Sequence, residues 1–90
     1  MLTPAFTGSF KKDRKVMKKR NMDMDKLTEV MALLINEHPL PPKYENHPLR
    51  GKYQGKWECH IEPDWLLVYR VDKESHRIVF YRTGSHSDLF

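Results

Sequence analysis

The sequence predicts a single α+β domain, residues 1–90, with a short N-terminal strand and a two-helix hairpin packed on a mainly antiparallel sheet. Two periodicities and one boundary carry this expectation. Met24, Leu27, Val30, Met31, Leu34 and Ile35 recur at helical spacing and form one apolar stripe. Beyond His38-Pro39-Leu40-Pro41-Pro42, where proline stops any helix, the period changes to two. Trp57, Cys59 and Ile61 alternate there with Glu58, His60 and Glu62.

Each element has its own local reason. Pro4 limits Leu2–Phe6 to an edge strand or a strand entry. Thr7 is placed to cap a first helix through Phe10, Val16 and Met17, which Asn21 and Met22 interrupt. Asp23 caps the second helix, and the short break between the two makes an antiparallel hairpin. After the proline-rich boundary, an irregular connection leads to a possible short strand over Leu49–Tyr53, with Gln54-Gly55 as its turn. Trp57–Glu62 is the first clear strand, and Pro63-Asp64 turns the chain. Trp65–Val71 is apolar on both faces, as a central strand requires. Asp72–Ser75 makes the next loop, Arg77–Thr83 is a further strand ended by Gly84, and Ser85–Phe90 is a short tail.

Composition narrows the function classes. At 39% hydrophobic and 11% aromatic residues, the chain is too apolar to be disordered. One cysteine, Cys59, excludes an internal disulfide and points to a reducing compartment. The first ten residues are too polar for a signal peptide, and no apolar run reaches membrane-span length, so a soluble cytoplasmic protein is expected. The formal net charge of +4 is unevenly spread: seven of the ten residues in Lys11–Arg20 are basic and only Asp13 is acidic. Such a run is either a solvated helix face or a surface for a polyanionic or acidic partner.

The residues capable of chemistry lie in the second half. His60 is on the polar side of its strand, Asp64 follows at the turn, and Arg82 and His86 stand at and beyond the end of the last strand. His47 enters from the loop before the sheet. Antiparallel pairing can bring these five to one face. Singly, each has a plain structural explanation: a loop hydrogen bond, a solvated strand position, a turn aspartate, an ion pair or a tail. Together they match what metal-free RNA cleavage requires, namely two proton-transfer groups and a fixed cation for the phosphate. Trp65 and the terminal Phe90 are candidates for stacking bases, although Trp65 serves equally well as a core anchor. Cys59 belongs to the apolar face and reads as a buried structural thiol. No HExxH, paired CxxC, P-loop or dinucleotide motif occurs, so neither a metal nor a nucleotide cofactor is expected.

The segments MALLINEHPLPP, NHPLRGKYQGKWECHIEPDWLLVYR and RTGSHSDLF closely resemble the YafQ family of the RelE toxin superfamily, over essentially the whole chain. The resemblance implies a compact RelE-like fold and a toxin of a type II toxin–antitoxin pair that cleaves mRNA in the ribosomal A site without metal. It implies an acidic DinJ-type antitoxin as partner, a higher-order assembly with it, and a monomeric free toxin. The family's catalytic positions fall on His47 of the HPL motif, His60 before the EPD turn, Asp64, Arg82 of the RTG motif and His86, with Trp65 and Phe90 as the accompanying aromatics. In the mechanism that follows, Asp64 or His60 takes the 2′-hydroxyl proton, Arg82 stabilises the phosphate and His86 protonates the leaving 5′-oxygen. Lys11, Lys15 and Lys18 of the basic helix are expected to meet ribosomal RNA phosphates. The alternative is a non-catalytic basic module on the same fold that binds RNA, the ribosome or an antitoxin.

Overall fold

A computed structural model of the protein describes all 90 residues. The element order is β1 (Thr3–Phe6), α1 (Gly8–Lys19), α2 (Met24–Ile35), a 3-10 turn (Pro42–Tyr44), β2 (His47–Pro48), a second 3-10 turn (Gly51–Tyr53), β3 (Trp57–Glu62), β4 (Trp65–Asp72), β5 (Arg77–Gly84) and α3 (His86–Leu89). The strands form one sheet in the order β1-β5-β4-β3-β2, antiparallel except where β1 runs parallel to β5.

The two helices form as their caps direct. Thr7 accepts the Phe10 N–H at 3.0 Å, and its hydroxyl also donates to the Tyr81 carbonyl at 2.8 Å, so the start of α1 is tied to β5. Asn21 takes the left-handed conformation at φ 59°, which asparagine tolerates better than most residues, and lets the chain reverse. Asp23 then caps α2 by accepting the Asp25 N–H.

Phe10 and Met17 of α1 and Leu27, Val30 and Met31 of α2 pack on Cys59, Ile61, Trp65, Leu67, Tyr69, Ile78 and Phe80. This is the main core, on one sheet face. Val16 is 41% exposed, because α1 is thin in apolar residues and only Phe10 and Met17 are buried. β4 is the central strand, and Leu66 and Val68 on its other face are as buried as Leu67. They are covered by Leu89, with Leu49 and Tyr81 alongside.

Two expectations need correction. The segment Leu49–Tyr53 is not a strand. Pairing is confined to His47 and Pro48, and Gly51 at φ 67° turns the backbone into the second 3-10 turn. The tail is not merely a tail. Ser85 and Asp88 form a reciprocal capping box that folds the four-residue α3, and Leu89 from that helix closes the smaller core.

β5 carries a bulge that matters for the site. Val68 pairs with Arg82 but Tyr69 pairs with Phe80, so Tyr81 is the extra residue. Simple alternation from Ile78 and Phe80 would aim Arg82 at the helices. The bulge instead sets it in the row of Val68, on the opposite face.

Candidate active site

The sheet face away from the main core presents the histidines. Register explains why. His47 pairs with Glu58, Glu58 with Val68, and Val68 with Arg82, so these four share one row across β2, β3, β4 and β5. Residues directly opposite in a sheet share a face. The next row runs from His60 through Leu66 to Gly84, two residues before His86. Three imidazoles thus stand in line, with ring centroids 6.0 Å apart for His47 and His60 and 5.9 Å apart for His60 and His86.

Asp64 and His86 form the most closely bonded pair. One carboxylate oxygen of Asp64 accepts both the His86 backbone N–H at 2.9 Å and the ring Nδ1 at 2.6 Å. An ionised carboxylate only accepts, so Nδ1 carries a proton and Nε2 is the nitrogen left for substrate. The backbone N–H of His86 is the main cause, and its ring the next, of an Asp64 carboxyl held below the usual range. Both side chains are largely exposed, as a site open to a polymeric substrate requires.

Glu58 is a member of this face that the sequence did not single out. Alternation assigned it to the solvated face, yet it is only 6% exposed. Its Oε2 lies 2.9 Å from His47 Nε2, while Oε1 is buried without a hydrogen-bond partner. The other ring nitrogen of His47 faces the Glu45 carbonyl at 2.7 Å, so the ring is fixed from both sides. His60 Nδ1 is likewise buried and unpartnered. Glu45 Oε2 lies 3.3 Å away but out of hydrogen-bond alignment. Ligand atoms of His47, Glu58 and His60 all lie within 4.8 Å of one another. Two imidazoles and a carboxylate are a donor set that suits a borderline divalent ion such as zinc or copper. Sequence spacing hid this cluster because strand pairing, not a short motif, assembles it.

Arg82 joins the face but is not free. Its Nε and Nη2 donate to the two oxygens of Asp13 on α1 at 2.6 and 3.1 Å, which leaves Nη1 without a protein partner. Phe90 is 59% exposed and meets Tyr53 edge-on at 5.4 Å, so the two rings make an aromatic step beside the tail. Trp65, by contrast, is wholly buried, and its indole N–H donates to Thr83 Oγ1 at 2.9 Å. It is a core anchor and cannot stack a base; alternation along β4 sets it on the helix face with Leu67 and Tyr69.

Lys11, Lys15 and Lys18 are exposed on α1, within the helix layer and apart from the histidine row. With Arg14, Lys15 and Lys18 rim a groove between the helices floored by Met24, Leu27 and Met31. Cys59 is buried in the main core, where desolvation pushes its thiol up to about 12, so it has no part in the site. No helix is long and apolar enough to cross a membrane.

Comparison with known proteins shows the family and the fold. Residues 2–90 match the family model described as the bacterial toxin of type II toxin–antitoxin system, YafQ. The chain is 45% identical over 86 residues to the mRNA interferase toxin YafQ of Escherichia coli K12, covering 94% of this chain and 91% of that protein. It superimposes on the toxin in the crystal structure of the E. coli DinJ–YafQ complex with a TM-score of 0.92 at 42% identity, covering 100% of this chain and 99% of that one. A metal-bound toxin from Helicobacter pylori superimposes equally well, with a TM-score of 0.94 at 43% identity and full coverage of both chains. From its matched length, its fold and these relatives, the chain belongs to the YafQ family of toxins of type II toxin–antitoxin systems.

Proposed function

We propose that this protein is an endoribonuclease toxin that cuts translated mRNA in the ribosomal A site by metal-free attack of a ribose 2′-hydroxyl, and that an acidic DinJ-type antitoxin silences it. The observation that carries the reading is the Asp64–His86 pair beside His60 on an exposed sheet face. The same fold and 45% identity to an mRNA interferase toxin support it.

The O2′ atom forms a bond to phosphorus, the P–O5′ bond breaks, and one proton leaves O2′ while another reaches O5′. Asp64 is a poor candidate for the first transfer. Its Oδ1 already accepts two hydrogen bonds, and a carboxyl held below its usual range is a weak base. His60, beside it in the row, takes that proton. His86, oriented by Asp64 through Nδ1, delivers a proton from Nε2 to the leaving oxygen. Arg82 presents Nη1 to the phosphate as charge accumulates. His47, held by Glu58 and Glu45, keeps the neighbouring imidazole environment fixed. The products are a 2′,3′-cyclic phosphate and a 5′-hydroxyl. Phe90 with Tyr53 offers a stacking surface for a base.

Primer extension on a translated message, with and without ribosomes and with a chelator present, tests the reading. Cleavage should require ribosomes and survive chelation. Cleavage abolished by chelation and restored by zinc would replace this mechanism with one in which His47, Glu58 and His60 hold a catalytic ion. Cleavage indifferent to ribosomes would remove the A-site assignment.

A further inference from the structure

We propose that α1 is a splint that aligns the two catalytic groups at the end of β5, with Asp13 and Arg20 as positioning residues for Arg82 and His86. This rests on the reading of Arg82 as the phosphate-stabilising cation and His86 as the acid.

β1 accompanies β5 only as far as Phe80, where Phe6 is its partner. Beyond that point the edge of β5 would be open. α1 takes over instead. Thr7 donates to the Tyr81 carbonyl, and Asp13 Oδ2 accepts the Thr83 N–H at 3.1 Å while its carboxylate also holds the Arg82 guanidinium by Nε and Nη2. Asp13 is the sole acid in a run of seven cations, and its side chain is 14% exposed. A carboxylate placed there weakens the attraction of the helix for phosphates, so a merely solvated or RNA-binding face has no use for it. Its position answers a different need. A two-point fork fixes the guanidinium plane, which a single hydrogen bond would leave free to rotate.

Two helical turns further on, Arg20 repeats the arrangement with the signs exchanged. Its Nη1 and Nη2 donate to the two oxygens of Asp88 at 2.7 and 3.0 Å. Asp88 is also the residue whose carboxylate accepts the Ser85 N–H at 2.8 Å and closes the capping box of α3. A helix of four residues has no stability of its own, yet it begins with His86. Holding Asp88 from α1 fixes the start of α3 and therefore the direction of the His86 ring. Both hooks come from one rigid helix, so Arg82 and His86 keep one relative placement. Arg20, counted by its charge among the cations of the basic run, is thereby committed to the protein's own tail.

The test is single-turnover cleavage of mRNA on programmed ribosomes. The variants are Asp13→Asn, Arg82→Ala and their double variant, with thermal melts of each. Asparagine keeps an acceptor for the Thr83 N–H, so folding is retained. Asp13→Asn should lose roughly 10- to 100-fold in the cleavage step, the scale of a misplacement of about an ångström, with ribosome affinity unchanged or improved. In the Arg82→Ala background the same change should have no further effect. Equal losses in both backgrounds would show that Asp13 acts on the fold alone and would overturn the splint, leaving the role of Arg82 standing. A wild-type rate for Arg82→Ala would overturn the phosphate role and the splint together. Arg20→Ala, an exposed change, removes the second hook. It should slow cleavage in the presence of His86 and not in its absence. Arg20→Lys should restore only part of the rate, because lysine cannot form the bidentate pair. Full activity of Arg20→Ala would confine the splint to Asp13 and refute its two-point form.

Discussion

Trp65→Phe separates the core role of this residue from the base-stacking role that its neighbour Asp64 suggests. The ring has no exposed surface, and its N–H donates to Thr83 Oγ1, which in turn donates to the Leu66 carbonyl at 2.8 Å. Phenylalanine keeps the apolar ring and loses the hydrogen bond and about three heavy atoms. The hydrogen bond is worth about 1 kcal/mol, and Thr83 retains its second partner, so no orphaned group adds to the cost. The void and the forfeited transfer energy of three buried atoms contribute about 1–3 kcal/mol. The sum, roughly 2–4 kcal/mol, is a large share of the ~5–15 kcal/mol that stabilises a domain. For a chain of this length it lowers Tm by roughly 10–25 °C. Thermal and urea melts followed by circular dichroism measure this. Cleavage assayed well below the variant's transition should stay near wild type per folded molecule. A Tm within about 3 °C of wild type, together with cleavage reduced more than about tenfold, would refute the burial argument and restore Trp65 to the RNA-binding surface.

Two further outcomes follow from the charged groups. The folded-state carboxyl of Asp64 is depressed, so the stabilisation from its pairing with His86 is fully present above about pH 4, the ordinary carboxylate range, and fades as pH falls through the depressed value. Carboxyl carbon shifts across an acid titration should place Asp64 below the ordinary carboxylate range. His86→Ala should move it only part of the way back, since the backbone N–H at 2.9 Å remains; an unmoved midpoint would mean that the ring contributes nothing. On α1, the triple change Lys11→Ala, Lys15→Ala, Lys18→Ala should weaken ribosome binding. It should also flatten the dependence of log affinity on log salt by roughly 0.7–0.9 for each phosphate no longer neutralised. An unaltered slope would reduce this helix face to solvation or to antitoxin binding.

How much of the fold the sequence exposed depended on whether a pattern was local. α2 and the three long strands follow from spacing alone, and Thr7 and Asp23 cap where their side chains indicate. α3 escapes such a reading although Ser85 and Asp88 stand at capping-box distance, because a four-residue helix has no periodicity to display. Its formation needs Leu89 to fill the space over Leu66 and Val68, a tertiary reason. The short strand lies a few residues from its expected place for a similar cause. Leu49–Tyr53 has strand-like composition, but the left-handed backbone at Gly51 ends pairing and leaves His47 and Pro48 as the only residues of β2 in the ladder.

The candidate site divides along the same line. His47, His60, Asp64, Arg82 and His86 could be nominated by residue type, and the sheet does bring His47, His60, His86 and Asp64 into one line, with Arg82 in the same row as His47. Their partners could not. Glu58 reads as one more polar residue on an outward face until β2 is laid beside β3, whereupon it becomes a buried carboxylate against His47. Arg82 is nominated for the histidine face, yet strict alternation from Ile78 and Phe80 would turn it away, and one extra residue in β5 is what sets it there. Asp13 reads as a blemish in a basic run until the edge of β5 is seen to need a partner beyond Phe6. In each case the missing information is which residue lies opposite which. Chemistry-bearing side chains are visible in a sequence because their types are few. The groups that orient them are ordinary residues, and only the register that the bulge and the short edge strand impose makes them part of the site.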